Sequence, residues 1–186
     1  MPPAPARISP DLLEACRRGD PDAFEALVAA CRDRVYSLAC HLSGSETAAG
    51  DITQDVFVKL LTRLAQFRHQ AEFTTWLYRI VANVAIDYRR ASRRLVSVEE
   101  AAPVWSQPAL QEQRYLRAET ATHVREALAR LPPRFRVPLA LRYLEGLSYE
   151  EIAGVLRLST GTVASRLARG LRQLGAELSD LRLDVE

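Results

Sequence analysis

The chain is expected to be all-α: two small helical domains joined by a flexible linker. Three observations predict it. Ala, Leu, Arg and Glu dominate the 186 residues, Gly contributes only 8, and those four residue types favour helices. Apolar residues recur at three- and four-residue spacing through both halves, and runs rich in Val, Ile and Thr are few. Between the halves, residues 96–111 lose that spacing and carry Glu99, Glu100, Pro103 and Pro108, which suits an extended connector. The expected units are a leader at 1–10, a first domain at 11–95, a linker at 96–111, a second domain at 112–177 and a tail at 178–186.

The leader carries Pro2, Pro3, Pro5 and Pro10 and reads as disordered. Asp11 to Arg18 suits a short helix that Gly19 stops, and Asp20-Pro21 opens the next one. Phe24, Leu27, Val28, Cys31, Val35, Leu38, Ala39 and Leu42 then form the stripe of a long amphipathic helix, with Cys40 beside it. Ser43-Gly44-Ser45 makes a turn. The following helix points Ile52, Val56, Leu60, Leu61 and Leu64 inward and sets Asp51 and Asp55 one turn apart on another face. Gln66 to Thr75 reads as a loop, with Thr74 or Thr75 as the next N-cap. That next helix buries Leu77, Ile80, Val81, Val84 and Tyr88 and presents Arg79, Asn83, Asp87, Arg90 and Arg94.

In the second half a helix is expected from about Gln111 to Arg130, with Leu116, Val124 and Leu128 inward. Leu131-Pro132-Pro133 ends it and starts another, Pro138 predicts a bend, and Gly146 predicts a stop. Ser148-Tyr-Glu-Glu151 has the pattern of a capping box, in which hydroxyl and carboxylate satisfy each other's backbone amides. Ile152, Val155 and Leu156 supply an apolar face. Arg157-Leu158-Ser159 is the turn, and Ser159 caps a second helix with Val163, Leu167, Leu171 and Leu174 inward. Two short helices joined by three residues suit a DNA-reading helix-turn-helix. The same spacing also fits an αα-hairpin inside a larger bundle. Arg157 stands where a left-handed backbone is wanted and Gly is easiest.

Net charge is only +2, so any polyanion would be gripped locally. Five Arg and one acid lie between Arg79 and Arg94, and three Arg and no acid between Thr160 and Gln173. Two separated basic helices suit a two-point contact with nucleic acid, although solvated helix faces carry similar clusters. Cys16, Cys31 and Cys40 are odd in number and lack a CxxC spacing, which argues against a disulfide framework and fits small buried residues. His41, His69 and His123 are dispersed, no HExxH or nucleophile elbow occurs, and no metal or cofactor is expected. No signal pattern or membrane-length apolar run is visible, so membrane insertion is not expected and a cytoplasmic location is.

Leu131 to Ala153, reading LPPRFRVPLALRYLEGLSYEEIA, followed by Ser159 to Leu167, closely resembles region 4 of the extracytoplasmic function (ECF) sigma factors, group IV of the sigma-70 family. Asp51-Ile-Thr-Gln-Asp-Val-Phe57 resembles their region 2.2, and Phe73 to Arg90 their regions 2.3 and 2.4. The resemblance covers roughly residues 11–95 and 112–176. It implies a promoter-reading subunit of RNA polymerase rather than an enzyme, acting in transcription initiation without a cofactor. Asp51, Gln54, Asp55 and Phe57 match positions that dock on the β′ clamp helices of core polymerase. Phe67, Arg79, Asn83 and Arg90 match positions facing the −10 element, where an aromatic ring and an amide hold a flipped base. Arg142, Thr160, Ala164, Ser165, Ala168 and Arg169 match the −35 contacts of region 4, which also meets the β flap. An anti-sigma factor is the implied inhibitor. A transcription regulator using the helix-turn-helix alone is the competing reading, and the region 2 resemblance argues against it.

Overall fold

The computed structural model describes residues 8–67, 72–95 and 122–183, and all regular structure among them is helical. Helix α1 spans Pro10–Arg17, α2 Pro21–Ser43, α3 Glu46–Arg63 and α4 Phe73–Leu95; a 3₁₀ turn, Leu64–Gln66, follows α3. Helix α5 covers 122–130, α6 Pro133–Tyr143, α7 Tyr149–Leu156 and α8 Thr160–Leu183. The expectations of a disordered leader up to residue 7, of a loop at 68–71, of a linker at 96–111 and of a helix from Gln111 that buries Leu116 fall outside the described residues.

The helix boundaries follow local chemistry. Asp20 Oδ1 accepts from the backbone N–H groups of Asp22 (3.0 Å) and Ala23 (3.1 Å), satisfying two orphan donors at the start of α2. Gly44 ends α2 at φ +79°, where a side chain would be strained. Pro132 precedes α6 and Pro133 opens it, and α6 continues through Pro138 as one helix. Gly146 turns the chain at φ +72°. Helix α4 begins two residues earlier than the Thr caps predict. Trp76 N–H donates to the Glu72 carbonyl at 3.1 Å, which makes Glu72 the entry residue and leaves Thr74 and Thr75 inside the first turn.

In the first half, α2 packs on α3 and α4, and α1 covers the start of α2. Leu27, Val35, Leu38, Leu42, Ile52, Val56, Leu60 and Val81 are buried to 2% exposure or less, each contributing about 1.5–3 kcal/mol where an aliphatic side chain leaves water completely. In the second half, α6 packs across α8 with α7 against both. Gly170 permits the close crossing: a Cβ there would stand 3.0 Å from Leu139 Cδ1. The two halves also touch, α4 against α7 and α2 against α6, and the buried residues of both form one continuous cluster.

The packing corrects several sequence expectations. Tyr78, Ala82 and Ala85 are buried at 1–2% exposure, giving α4 a second buried face that a one-stripe reading omits. Leu61 is 59% exposed and not inward, because a residue after Leu60 swings about 100° round the helix, past the stripe. Leu171 and Val124 are likewise exposed where burial was expected. Helix α8 runs on to Leu183, so most of the supposed tail continues the recognition helix.

Candidate nucleic-acid interface

The helix-turn-helix forms as the capping chemistry demands. Ser148 N–H donates to Glu151 Oε2 at 2.7 Å, and Glu151 N–H donates to Ser148 Oγ at 3.1 Å, closing the capping box of α7. Arg157 adopts φ 55°, ψ 49°, the left-handed turn, and Ser159 Oγ accepts from Thr162 N–H at 3.2 Å to cap α8. Val163 and Leu167 are then fully buried, which fixes the rotation of α8. Thr160, Ser165, Ala168 and Arg169 are exposed and Ala164 half-buried, so the small residues and one guanidinium share the outward face near its N-terminus. A helix presenting such residues can enter a major groove closely.

Arg142 has local duties. Its Nη1 donates to the Leu147 carbonyl at 2.8 Å, and its guanidinium lies 5.4 Å from the centre of the Tyr149 ring. It braces the α6–α7 turn while remaining only half-buried.

On α3, Asp51, Gln54 and Asp55 are exposed on one face, and Phe57 is half-buried against the core. Asp51 Oδ2 accepts from the Tyr88 hydroxyl at 3.2 Å. Burial and the Asp51 carboxylate push the Tyr88 phenol above its ordinary range. Val58 and Leu61, 61% and 59% exposed, continue the same stripe at helical spacing. Sequence reading missed them. The signal was the spacing 51, 54, 55, 58, 61, obscured because Leu61 reads as core and Val58, also apolar, was assigned to neither face.

On α4, Asn83 and Arg90 are exposed. Asn83 lines an open cleft of about 200 Å³ between α3 and α4, together with Lys59, Arg63, Ile80, Val84, Ile86 and Asp87. Two cations and an amide around a cleft suit a nucleotide, with phosphate outside and a base edge at the amide. Phe67 is placed differently from its expected role. It is 4% exposed, packed edge-on to Phe73 (5.9 Å between ring centres) and against Trp76 (5.1 Å). An aromatic trio is held together by its own burial, so the ring forms part of the wall and offers no open stacking face here. Arg79 is also engaged: its Nη2 donates to the Gly154 carbonyl of α7 at 2.6 Å. Burial first, then the nearby Arg157, depress its pKa.

Between the halves lies a polar cluster that periodicity could not reveal. Glu145 Oε2 accepts from the Tyr78 hydroxyl at 2.5 Å and pairs with Arg34 Nε at 3.1 Å. Burial raises the Glu145 pKa, and the Tyr78 hydrogen bond and Arg34 oppose that shift. Burial and Glu145 together push the Tyr78 phenol far above its usual range. Among the described residues no helix is long and apolar enough to cross a membrane, and no group of three or more His, Cys, Asp or Glu could hold a metal ion.

Comparison with known proteins agrees with both halves. The family model for sigma-70 region 2 matches residues 27–95, and that for sigma-70 region 4 matches residues 123–174. The ECF RNA polymerase sigma factor SigW of Bacillus subtilis is 30% identical over 179 residues, covering 91% of this chain and 96% of that protein. The ECF RNA polymerase sigma-E factor of Escherichia coli strain K12 is 34% identical over 180 residues, covering 91% and 94%. Among solved structures, CnrH in complex with the cytosolic domain of CnrY superposes with a TM-score of 0.67 at 26% identity, over 91% of this chain and 96% of that one. Two family regions in their order, carried on the helices described above, identify this chain as a member of the extracytoplasmic function group of sigma-70 factors, which joins RNA polymerase core and directs it to promoter DNA.

Proposed function

We propose the following division of labour for the residues of this sigma factor. Asp51, Gln54 and Asp55, extended by Val58 and Leu61, form the face of α3 that docks on the β′ clamp helices, with Phe57 buttressing it from the core side. Carboxylates beside exposed apolar side chains suit a basic amphipathic helix, the charges setting register and the apolar pair supplying buried area. Asn83, Arg90 and the cleft with Lys59 and Arg63 receive the −10 strand. Unstacking a base costs a few kcal/mol, and capture of the extruded base offsets it without nucleotide hydrolysis. Phe67 acts as a wall of that region, and Arg79 becomes available once it leaves Gly154.

Thr160, Ala164, Ser165, Ala168 and Arg169 read the −35 duplex. Alanines at two of these positions make no hydrogen bonds to bases, so groove shape and phosphate contacts carry a larger share of recognition. Arg142 supports this surface from α6, and region 4 meets the β flap. The chain works in the cytoplasm with its polymerase, performs no catalysis of its own, and is held inactive by an anti-sigma factor. The complex of CnrH with a cytosolic domain supports inhibition by a partner protein.

The observation that carries the residue reading is the rotation of α8, which buries Val163 and Leu167 and turns Ser165, Ala168 and Arg169 outward. Run-off transcription with core polymerase and DNA from upstream of the protein's own gene tests it. The expected result is a discrete transcript that needs this chain and disappears when the −35 or −10 segment is scrambled. A chain that neither joins core nor selects a start site refutes it.

A further inference from the structure

Resting on the reading that the exposed face of α3 docks on the β′ clamp helices, we infer that Tyr88 of α4 is a positioning residue for that interface: its hydroxyl holds the Asp51 carboxylate in the orientation in which a basic partner meets it. The two side chains come from different helices. Tyr88 Oη donates to Asp51 Oδ2 at 3.2 Å, across 37 residues of sequence, where α3 and α4 pack together.

Asp51 is otherwise poorly restrained. It is exposed, and a short side chain in water exchanges freely among its rotamers. Among the described residues no cation pairs with it. Asp55, one turn further along α3, carries the same charge, and like charges at that spacing push each other apart. The restraint comes from the neighbouring helix instead.

Tyr88 is suited to supply it. Its ring is half-buried and packs against the core, so the hydroxyl at its tip reaches the surface from a fixed base. A tyrosine has few side-chain torsions, so anchoring it costs little entropy. Burial and the Asp51 carboxylate push the phenol above its ordinary range, which keeps the donor proton in place at neutral pH. With Oδ2 engaged by Tyr88, Oδ1 is left for an ammonium or guanidinium of the partner helix. An Asp already held in place loses less freedom on docking than one that the interface must immobilise. At 3.2 Å the bond is long for a hydroxyl on a carboxylate, so the gain is a few-fold in affinity rather than orders of magnitude.

A double-mutant cycle on the full-length chain tests the inference, read as affinity for core polymerase. It compares wild type, Tyr88→Phe, Asp51→Ala and the double variant. Phenylalanine keeps the ring and removes only the hydroxyl. Tyr88→Phe should weaken core binding about threefold to fivefold, and Asp51→Ala about tenfold. Added to Asp51→Ala, Tyr88→Phe should change binding by less than about twofold, because no carboxylate remains to be positioned. Equal weakening in both backgrounds, as lost packing or a direct contact of the hydroxyl with polymerase would give, overturns the inference. So does a Tyr88→Phe chain that binds like wild type while Asp51→Ala binds weakly. Wild-type affinity in the Asp51→Ala chain removes the docking reading of Asp51 and the inference with it.

Discussion

Arg157 sits at φ 55°, the one non-glycine residue with positive φ among the described residues. A left-handed conformation costs an L-residue roughly 1–2 kcal/mol, because Cβ crowds the following carbonyl. Among the described residues its exposed side chain makes no hydrogen bond or ion pair, and its charge repels Arg79 across the domain contact. Arg157→Gly removes the crowding and the repulsion but makes the unfolded chain freer, which offsets about 0.5–1 kcal/mol. The net expectation is a stabilisation of about 0.5–1 kcal/mol, or a rise in Tm of ~2–8 °C for a domain of 60–100 residues. Differential scanning calorimetry of the full chain measures it, with Arg157→Ala as the control. Alanine removes the charge and keeps the Cβ, so it should recover little of the gain. A glycine variant that melts at or below the wild-type temperature refutes the strain argument. An alanine variant that gains as much as glycine assigns the effect to charge instead.

Three further expectations follow from the site geometry. Asp55→Arg should weaken core polymerase binding by about tenfold or more through like-charge repulsion while leaving −35 duplex binding by the full chain unchanged, as read by fluorescence anisotropy. Arg169→Ala should cost about 1–3 kcal/mol of discrimination between cognate and scrambled −35 duplexes; an equal loss on every duplex would assign Arg169 to phosphate. Cys31 is buried, and burial pushes its thiol from 9.0 up to about 11 despite the nearby Arg34. The native state thus holds the proton more tightly than the unfolded chain, so this group's contribution to stability is complete below pH 9 and is lost as pH rises towards 11. Cys16 and Cys40 are buried and shifted upward as well, so alkylation at pH 8 should be slow for all three thiols until denaturant is added. Rapid labelling of the folded chain would contradict the burial.

Much of the architecture was decided by residues close together in the chain. The Asp20 and Ser148 caps, the Gly44 and Gly146 turns, the Pro133 start and the left-handed Arg157 depend on interactions within four or five residues, so a linear reading suffices to find them. The rotation of α8 was equally legible, because Val163 and Leu167 recur at the helical period and leave Ala164, Ser165, Ala168 and Arg169 on the other side. The resemblance of two segments to regions 2 and 4 of a family then supplied function that periodicity alone leaves open.

Only the tertiary structure decided where the second faces of the helices go. Periodicity reports the richest apolar stripe, and α4 has another, Tyr78, Ala82 and Ala85, that exists because region 4 lies against it. Phe67 went to the core because Phe73 and Trp76 converge on it in space. Glu145 found Tyr78 across 67 residues and Arg136 found an apolar crevice, neither detectable from spacing. Local hydrogen bonds write themselves into neighbouring residues, whereas the pairing of distant side chains depends on how two finished surfaces meet.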